Sequence, residues 1–215
     1  MRTIFVSILG IFFLCFTAQL TVAQDQKAIK ILNDSKSKME GMADFTANFK
    51  YSVKAATRNA ATKTGKIKYK KGKFRITLPD QEMICDKRKI WVYMKKDNEV
   101  NVSPYDKDSG IDIEQIFKTY QNSAKARYTG EESIGAIACH KIEIATTDKK
   151  LDYNQVKLWI NTKTNFLEKA TLVDRRQTAT TYEFSNVKTN NGFTDKEFEF
   201  NTAKYPGVKV YDESN

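Results

Sequence analysis

From Asp44 to Lys54 the chain alternates strictly. Phe45, Ala47, Phe49, Tyr51 and Val53 are apolar or aromatic, while Asp44, Thr46, Asn48, Lys50, Ser52 and Lys54 are polar. A period of two sends each set to its own face of an extended chain, so the segment predicts a half-buried β-strand. Shorter copies of the pattern follow. Ile67 and Tyr69 alternate with Lys66, Lys68 and Lys70; Lys71-Gly72-Lys73 turns the chain; Phe74, Ile76 and Leu78 form a third strand ended by Pro79-Asp80. Met83–Asp86 and Ile90–Met94 read as a hairpin around Lys87-Arg88, and Glu99–Ser103 as an edge strand stopped by Pro104. Five more strands are expected at Arg127–Ile134, Ala136–Ala145, Gln155–Asn161, Phe166–Asp174 and Thr178–Lys188, and the polar stretch Ala55–Thr64 reads as a loop.

Two helical patterns interrupt the strands. Ile29, Leu32, Met39 and Met42 recur at helical spacing, with Asp25 as the expected cap and Gly41 as the stop. Farther on, Asp112 can cap a helix that presents Ile113, Ile116, Phe117 and Tyr120 on one face. Short polar links between consecutive strands imply an antiparallel meander. Many evenly spaced strands and two helices suggest one large curved sheet or an incomplete barrel. Its interior is either plugged by the helices or left as a cavity. No repeat, linker or shift in composition divides the chain.

The N-terminus precedes this pattern. Arg2 and an apolar run from Ile4 to Phe16, broken only by Ser7 and Gly10, lead to Thr21-Val22-Ala23 before Gln24. This is the form of a secretory signal peptide, with residues 1–23 removed and a soluble domain over 24–215. The bulky Phe12-Phe13-Leu14 before Cys15 does not fit a lipoprotein processing site. Export leaves Cys85 and Cys139, which are either paired or two separate buried thiols.

Chemistry is sparse. His140 is the only histidine, and its neighbour Cys139 points to the opposite face of a strand, so the two cannot act as a dyad. Adjacent Glu131 and Glu132 diverge in the same way, which excludes a facing carboxylate pair. No phosphate loop, nucleophile elbow or metal-binding pattern occurs, so no catalytic residue, metal or cofactor is expected. The net charge of +10 is spread along the strands. Export argues against nucleic acid as its partner and leaves anionic membranes, acidic proteins or mere solubility as its purpose.

Ordered segments carry a resemblance. A helix leads into Phe45-Thr-Ala-Asn-Phe49. Gly65-Lys-Ile-Lys-Tyr-Lys-Lys71 is followed by Gly72-Lys73-Phe74-Arg75. Cys85-Asp86-Lys-Arg-Lys-Ile-Trp91-Val-Tyr93 comes next, and Phe198-Glu-Phe200 precedes Pro206-Gly207-Val208. In this order they resemble the outer-membrane lipoprotein carrier family, the LolA-like periplasmic chaperones, over nearly the whole length after Ala23.

The resemblance implies a mainly β fold with α: a half-open antiparallel β-barrel, a large curved sheet, covered by an N-terminal helix and a central lid helix. It implies a periplasmic carrier, not an enzyme, that takes acylated lipoproteins from an inner-membrane ABC-type releasing complex to an outer-membrane receptor or membrane, as a monomer. The expected acyl-chain cavity is lined by Met39, Phe45, Phe49, Ile67, Tyr69, Ile76, Trp91, Ile113, Ile116, Phe117 and Tyr120. Burying acyl chains is worth about 0.8 kcal/mol per CH₂, which gives an apolar cavity its purpose. Where the family usually has an arginine at the end of its second strand, this chain has Lys71-Gly72. Strand parity directs Lys71 inward unless a bulge intervenes, where it would latch the lid helices without arginine's planar fork; the alternative is that it lies at the frayed strand end and reaches water. The alternatives are a periplasmic lipid or glycolipid carrier, or a lipid-sensing regulator on the same fold. Such a regulator would carry a further C-terminal domain, and the end at Asn215 argues against it. An exported hydrolase using His140 is the remaining class.

Overall fold

The computed structural model describes residues 17–55, 58–106, 125–146, 149 and 151–214. A helix, α1 (Thr17–Glu40), leads into twelve strands: β1 (Phe45–Ala55), β2 (Arg58–Lys70), β3 (Lys73–Thr77), β4 (Gln81–Cys85), β5 (Lys89–Met94), β6 (Glu99–Pro104), β7 (Lys125–Ile134), β8 (Ile137–Ala145), β9 (Tyr153–Asn161), β10 (Leu167–Asp174), β11 (Ala179–Thr189) and β12 (Lys209–Asp212). They form one sheet in the order β12-β6-β5-β4-β3-β2-β1-β11-β10-β9-β8-β7. The sheet is curved, open and unclosed. Each neighbouring pair is antiparallel except β12 with β6. Two meanders, β1–β6 and β7–β11, are thus joined by the pairing of β1 with β11.

Turn chemistry fixes the hairpins. Lys71 and Gly72 both have positive φ, 47° and 84°, as a two-residue turn that follows the twist of β2 and β3 requires. Asn161 Oδ1 accepts the N–H groups of Lys163 and Thr164 between β9 and β10, and Asp174 Oδ1 those of Arg176 and Thr178 between β10 and β11.

The alternation in β1 separates two faces. Register carries the Phe45 set across the sheet to Ile67 and Tyr69, then Phe74 and Ile76, and on the other side to Tyr182 and Phe184. This inner face meets α1, whose Ala28, Ile31, Leu32 and Met39 join Ile142, Ile144, Val156, Leu158 and Ile160 in the main core. The outer face of β3–β6 is covered by the segment after β11. There Phe198 is buried, and two short 3-10 turns (Asp195–Phe198 and Thr202–Lys204) lead to β12.

The structure corrects four expectations. Residues 17–26 contain no Gly or Pro, so α1 runs through both Gln24 and the expected cap Asp25. Its buried stripe is centred on Ala28, Leu32, Ser35 and Met39, and Ile29, about 100° round the helix from Ala28, is exposed. The polar stretch expected as a loop is mostly strand: β2 starts at Arg58, opposite Ala55, because a backbone ladder needs no apolar side chains. Strand β6 is not an edge, since β12 covers it in parallel.

Candidate functional site

The inner face is not uniformly covered. Near α1, which lies along β7, the residues of β8–β10 are dry. Over β3–β5 the inward residues Phe74, Ile76, Met83, Ile90, Val92 and Met94 are only half-buried. Tyr51 and Tyr182 extend this apolar strip along β1 and β11, their rings 5.3 Å apart. Burial, and then the nearby Tyr51, push the Tyr182 phenol well above its ordinary range, so it stays neutral. The strip offers apolar and aromatic surface without an inward charge on β3–β5. It can hold aliphatic matter.

The expected cavity residues fall into three groups. Met39, Phe45, Phe49, Ile67 and Tyr69 are buried in the core, with Phe45 stacked on Tyr69 at 5.1 Å, and Ile76 packs half-buried against them. Ile113, Ile116, Phe117 and Tyr120 lie outside the described residues, and with them the lid helix. Trp91 is on the wrong face: it pairs with Ile84 and Val102, which share the outer face with Arg75. Its neighbours Ile90 and Val92 face inward instead. The motif assigns Trp91 to the cavity, whereas strand parity decides its side.

Lys71 is also displaced from its expected direction. Strand β2 ends at Lys70, and Lys71 enters the turn with a left-handed backbone and an exposed side chain. Parity cannot be extended past the last strand residue. The lid helix it is expected to latch lies outside the described residues.

Sequence reasoning missed Phe74, Met83, Val92, Tyr182 and Phe184. Each sits in an expected strand at inward parity, and cross-strand register would have collected them.

The remaining chemistry does not converge. Cys139 is buried on the outer face and His140 points inward, its ring 5.8 Å from that of Tyr128. Burial first, and then Glu168, push the Cys139 thiol up to about 11. His140 Nδ1 lies 3.3 Å from Glu131 Oε1; burial lowers the imidazole's pKa more than this carboxylate raises it. Glu132 faces away and binds Lys141 Nζ at 2.8 Å. Cys85 and Cys139 are not joined by a disulfide, since six strands lie between β4 and β8.

The chain's similarities agree with this geometry. Residues 40–201 match the family described as "Outer membrane lipoprotein carrier protein LolA". The chain is 25% identical to an outer-membrane lipoprotein carrier protein of Legionella pneumophila (strain Lens), covering 81% of this chain and 86% of that one. In fold it is similar to an uncharacterized conserved protein of Thermus thermophilus, with a TM-score of 0.59 and 11% identity, covering 87% of this chain and 100% of that one. It is also similar to the Mycobacterium tuberculosis lipoprotein LppX, with a TM-score of 0.52 and 15% identity, covering 79% of this chain and 98% of that one.

Proposed function

The chain belongs to the LolA family of outer membrane lipoprotein carrier proteins, and we propose that it carries the acyl chains of lipoproteins from the inner to the outer membrane. A general role in carrying lipoproteins or lipids accompanies the family. The observation that supports the specific reading is the half-buried apolar strip of β3–β5 on an open sheet. A packed core would hide these residues, whereas a carrier has to keep apolar surface in reserve.

The strip shields acyl methylenes from water during transit, and no bond is made or broken. An inner-membrane ABC-type complex supplies the cargo, and an outer-membrane receptor or the membrane itself accepts it. The protein works as a monomer in the periplasm, after removal of residues 1–23. N-terminal sequencing of the exported protein should then begin at Gln24.

The test is binding of a fluorescent fatty-acid probe, competed by a diacylated lipopeptide, followed by transfer of a labelled lipoprotein to acceptor membranes. Failure to bind the probe overturns any acyl-carrier reading. Probe binding without lipoprotein transfer shifts support to a carrier of other lipids or a lipid-sensing regulator. Mass spectrometry of the protein purified from its native periplasm identifies that cargo.

A further inference from the structure

A polar cleft of ≈ 410 Å³ lies on the outer face, away from the acyl strip. Its floor is made by Lys68, Arg75, Thr77 and Glu82 of β2, β3 and β4, and its wall by the segment after β11, through Thr194, Lys196, Glu197 and Lys204.

The floor is fixed by its own hydrogen bonds. Arg75 donates from Nε to Glu197 O at 2.7 Å and from Nη2 to Glu199 O at 2.9 Å, and its Nη1 lies 3.0 Å from Glu82 Oε1. Glu82 also accepts from Tyr205 Oη at 2.6 Å and from Thr77 Oγ1 at 3.1 Å. All three guanidinium nitrogens are therefore occupied, and Arg75 acts as a strut between sheet and strap. Lys68 is bound to Glu197 at 2.7 Å.

These pairs neutralise Lys68 and Arg75 against Glu82 and Glu197. Two positive charges remain in excess, on Lys196 and on Lys204, the latter acting on the Glu197 carboxylate without a direct contact. Among the described residues neither side chain has an ion pair or a hydrogen bond. Lys196 and Lys204 both line this cleft, as does Thr194, on a wall the strut holds in place. Compact point charges on flexible stems with an adjacent hydroxyl suit phosphate oxygens, and a preformed wall lowers the cost of ordering them.

We propose that this outer-face cleft binds a phosphate group through Lys196 and Lys204. The group belongs either to a soluble phosphate compound or to an anionic lipid headgroup. The site is separate from the acyl strip, so a ligand here can be held while the inner face is loaded or empty.

The experiment titrates the unmodified full chain with inorganic phosphate, against chloride at equal ionic strength, and measures co-sedimentation with phosphatidylglycerol and phosphatidylcholine vesicles. The variants are Lys196→Gln/Lys204→Gln and, as a control on the β9–β10 turn, Lys163→Gln. Both cleft lysines are exposed, so the double variant should keep its circular dichroism spectrum. We expect it to weaken binding about tenfold, with the control unchanged. Loss in the inorganic-phosphate arm supports a soluble ligand, and loss in the phosphatidylglycerol arm alone supports a headgroup. Absence of binding in both arms, or equal binding by the unmodified protein and the double variant, overturns the proposal. Fatty-acid probe binding, measured on the same samples, reports separately on the carrier reading.

Discussion

Asp44 Oδ1 accepts the backbone N–H of Asn191 at 2.6 Å and its side-chain Nδ2–H at 3.0 Å, and so joins the start of β1 to the exit from β11. The other oxygen accepts from Gly192 and Phe193 at 2.9 and 3.0 Å. One buried carboxylate therefore sets the direction in which the chain leaves the sheet to cross its outer face. Asp44→Ala should cost about 2–3 kcal/mol, since it strands backbone donors that folding has taken from water. Asp44→Asn keeps one acceptor and should cost less. Urea denaturation of the three proteins checks the order.

Acid should act through the same group. Burial alone would raise the Asp44 pKa, but the N–H donors of Asn191, Phe193 and Gly192 outweigh it and hold the carboxyl below its ordinary 3.8. Burial is likewise overcome at Glu82, by Tyr205 and Arg75, and at Asp86, by Lys89 and Arg88. Each folded pKa lies below its unfolded one, so in acid the unfolded chain binds more protons. Their stabilisation is complete above the ordinary carboxylate values and is lost as pH falls through the folded ones. The urea midpoint should be flat near neutrality and drop below about pH 4. Asp44→Asn should show a shallower fall than the unmodified protein.

Gly65 stands opposite Phe49 across β1 and β2. A Cβ at this position would sit 2.6 Å from Thr77 O and 2.8 Å from the Phe49 ring. Its φ is not positive, so space and not backbone conformation requires glycine here. Gly65→Ala should destabilise by about 1–3 kcal/mol through overpacking. In the background Phe49→Leu, with the ring edge removed, the alanine should cost less, although contact with Thr77 O persists. A double-mutant cycle by thermal denaturation measures the coupling.

How much of this was legible follows from which signals are local. The alternation of β1 is printed in the sequence, and so are the turn at Lys71-Gly72 and the polar link Thr162–Asn165, because each rests on a few adjacent side chains. β12 was invisible: Lys209–Asp212 is exposed along its length and gains strand form only from β6, over 100 residues earlier. The Asp44 clasp was invisible for the same reason, since an aspartate before a strand looks like an ordinary polar residue. Trp91 shows a different failure: a motif gave its identity a role, but its side of the sheet follows from a register that runs through four strands.

The thiols should be inert in the folded protein. Cys85 and Cys139 are fully buried, and burial pushes the Cys139 thiol up to about 11. At Cys139 the thiolate, the reactive form, is therefore scarce at pH 8, and burial shields both sulfurs. A disulfide-exchange reagent should modify neither cysteine under native conditions and both in urea. Only one modified, or neither after denaturation without reductant, would contradict two separate thiols.

Trp91 and Val92 are adjacent, both half-buried, and on opposite faces. That makes them an internal control for the site of carriage. Val92 borders the strip through Met83 on β4, whereas Trp91 pairs with Ile84 on the outer face. A carboxylate in the strip would have to be desolvated by an incoming acyl chain, a cost of several kcal/mol without a partner. Val92→Glu should therefore weaken fatty-acid probe binding by more than about tenfold. At rest the half-buried glutamate can reach water, so the fold should persist, as circular dichroism would report. Trp91→Phe keeps an aromatic ring on the outer face and should leave probe affinity unchanged. Equal affinity in Val92→Glu and the unmodified protein would remove the β3–β5 strip as the site. A loss in Trp91→Phe, with Val92→Glu unaffected, would move the site to the outer face.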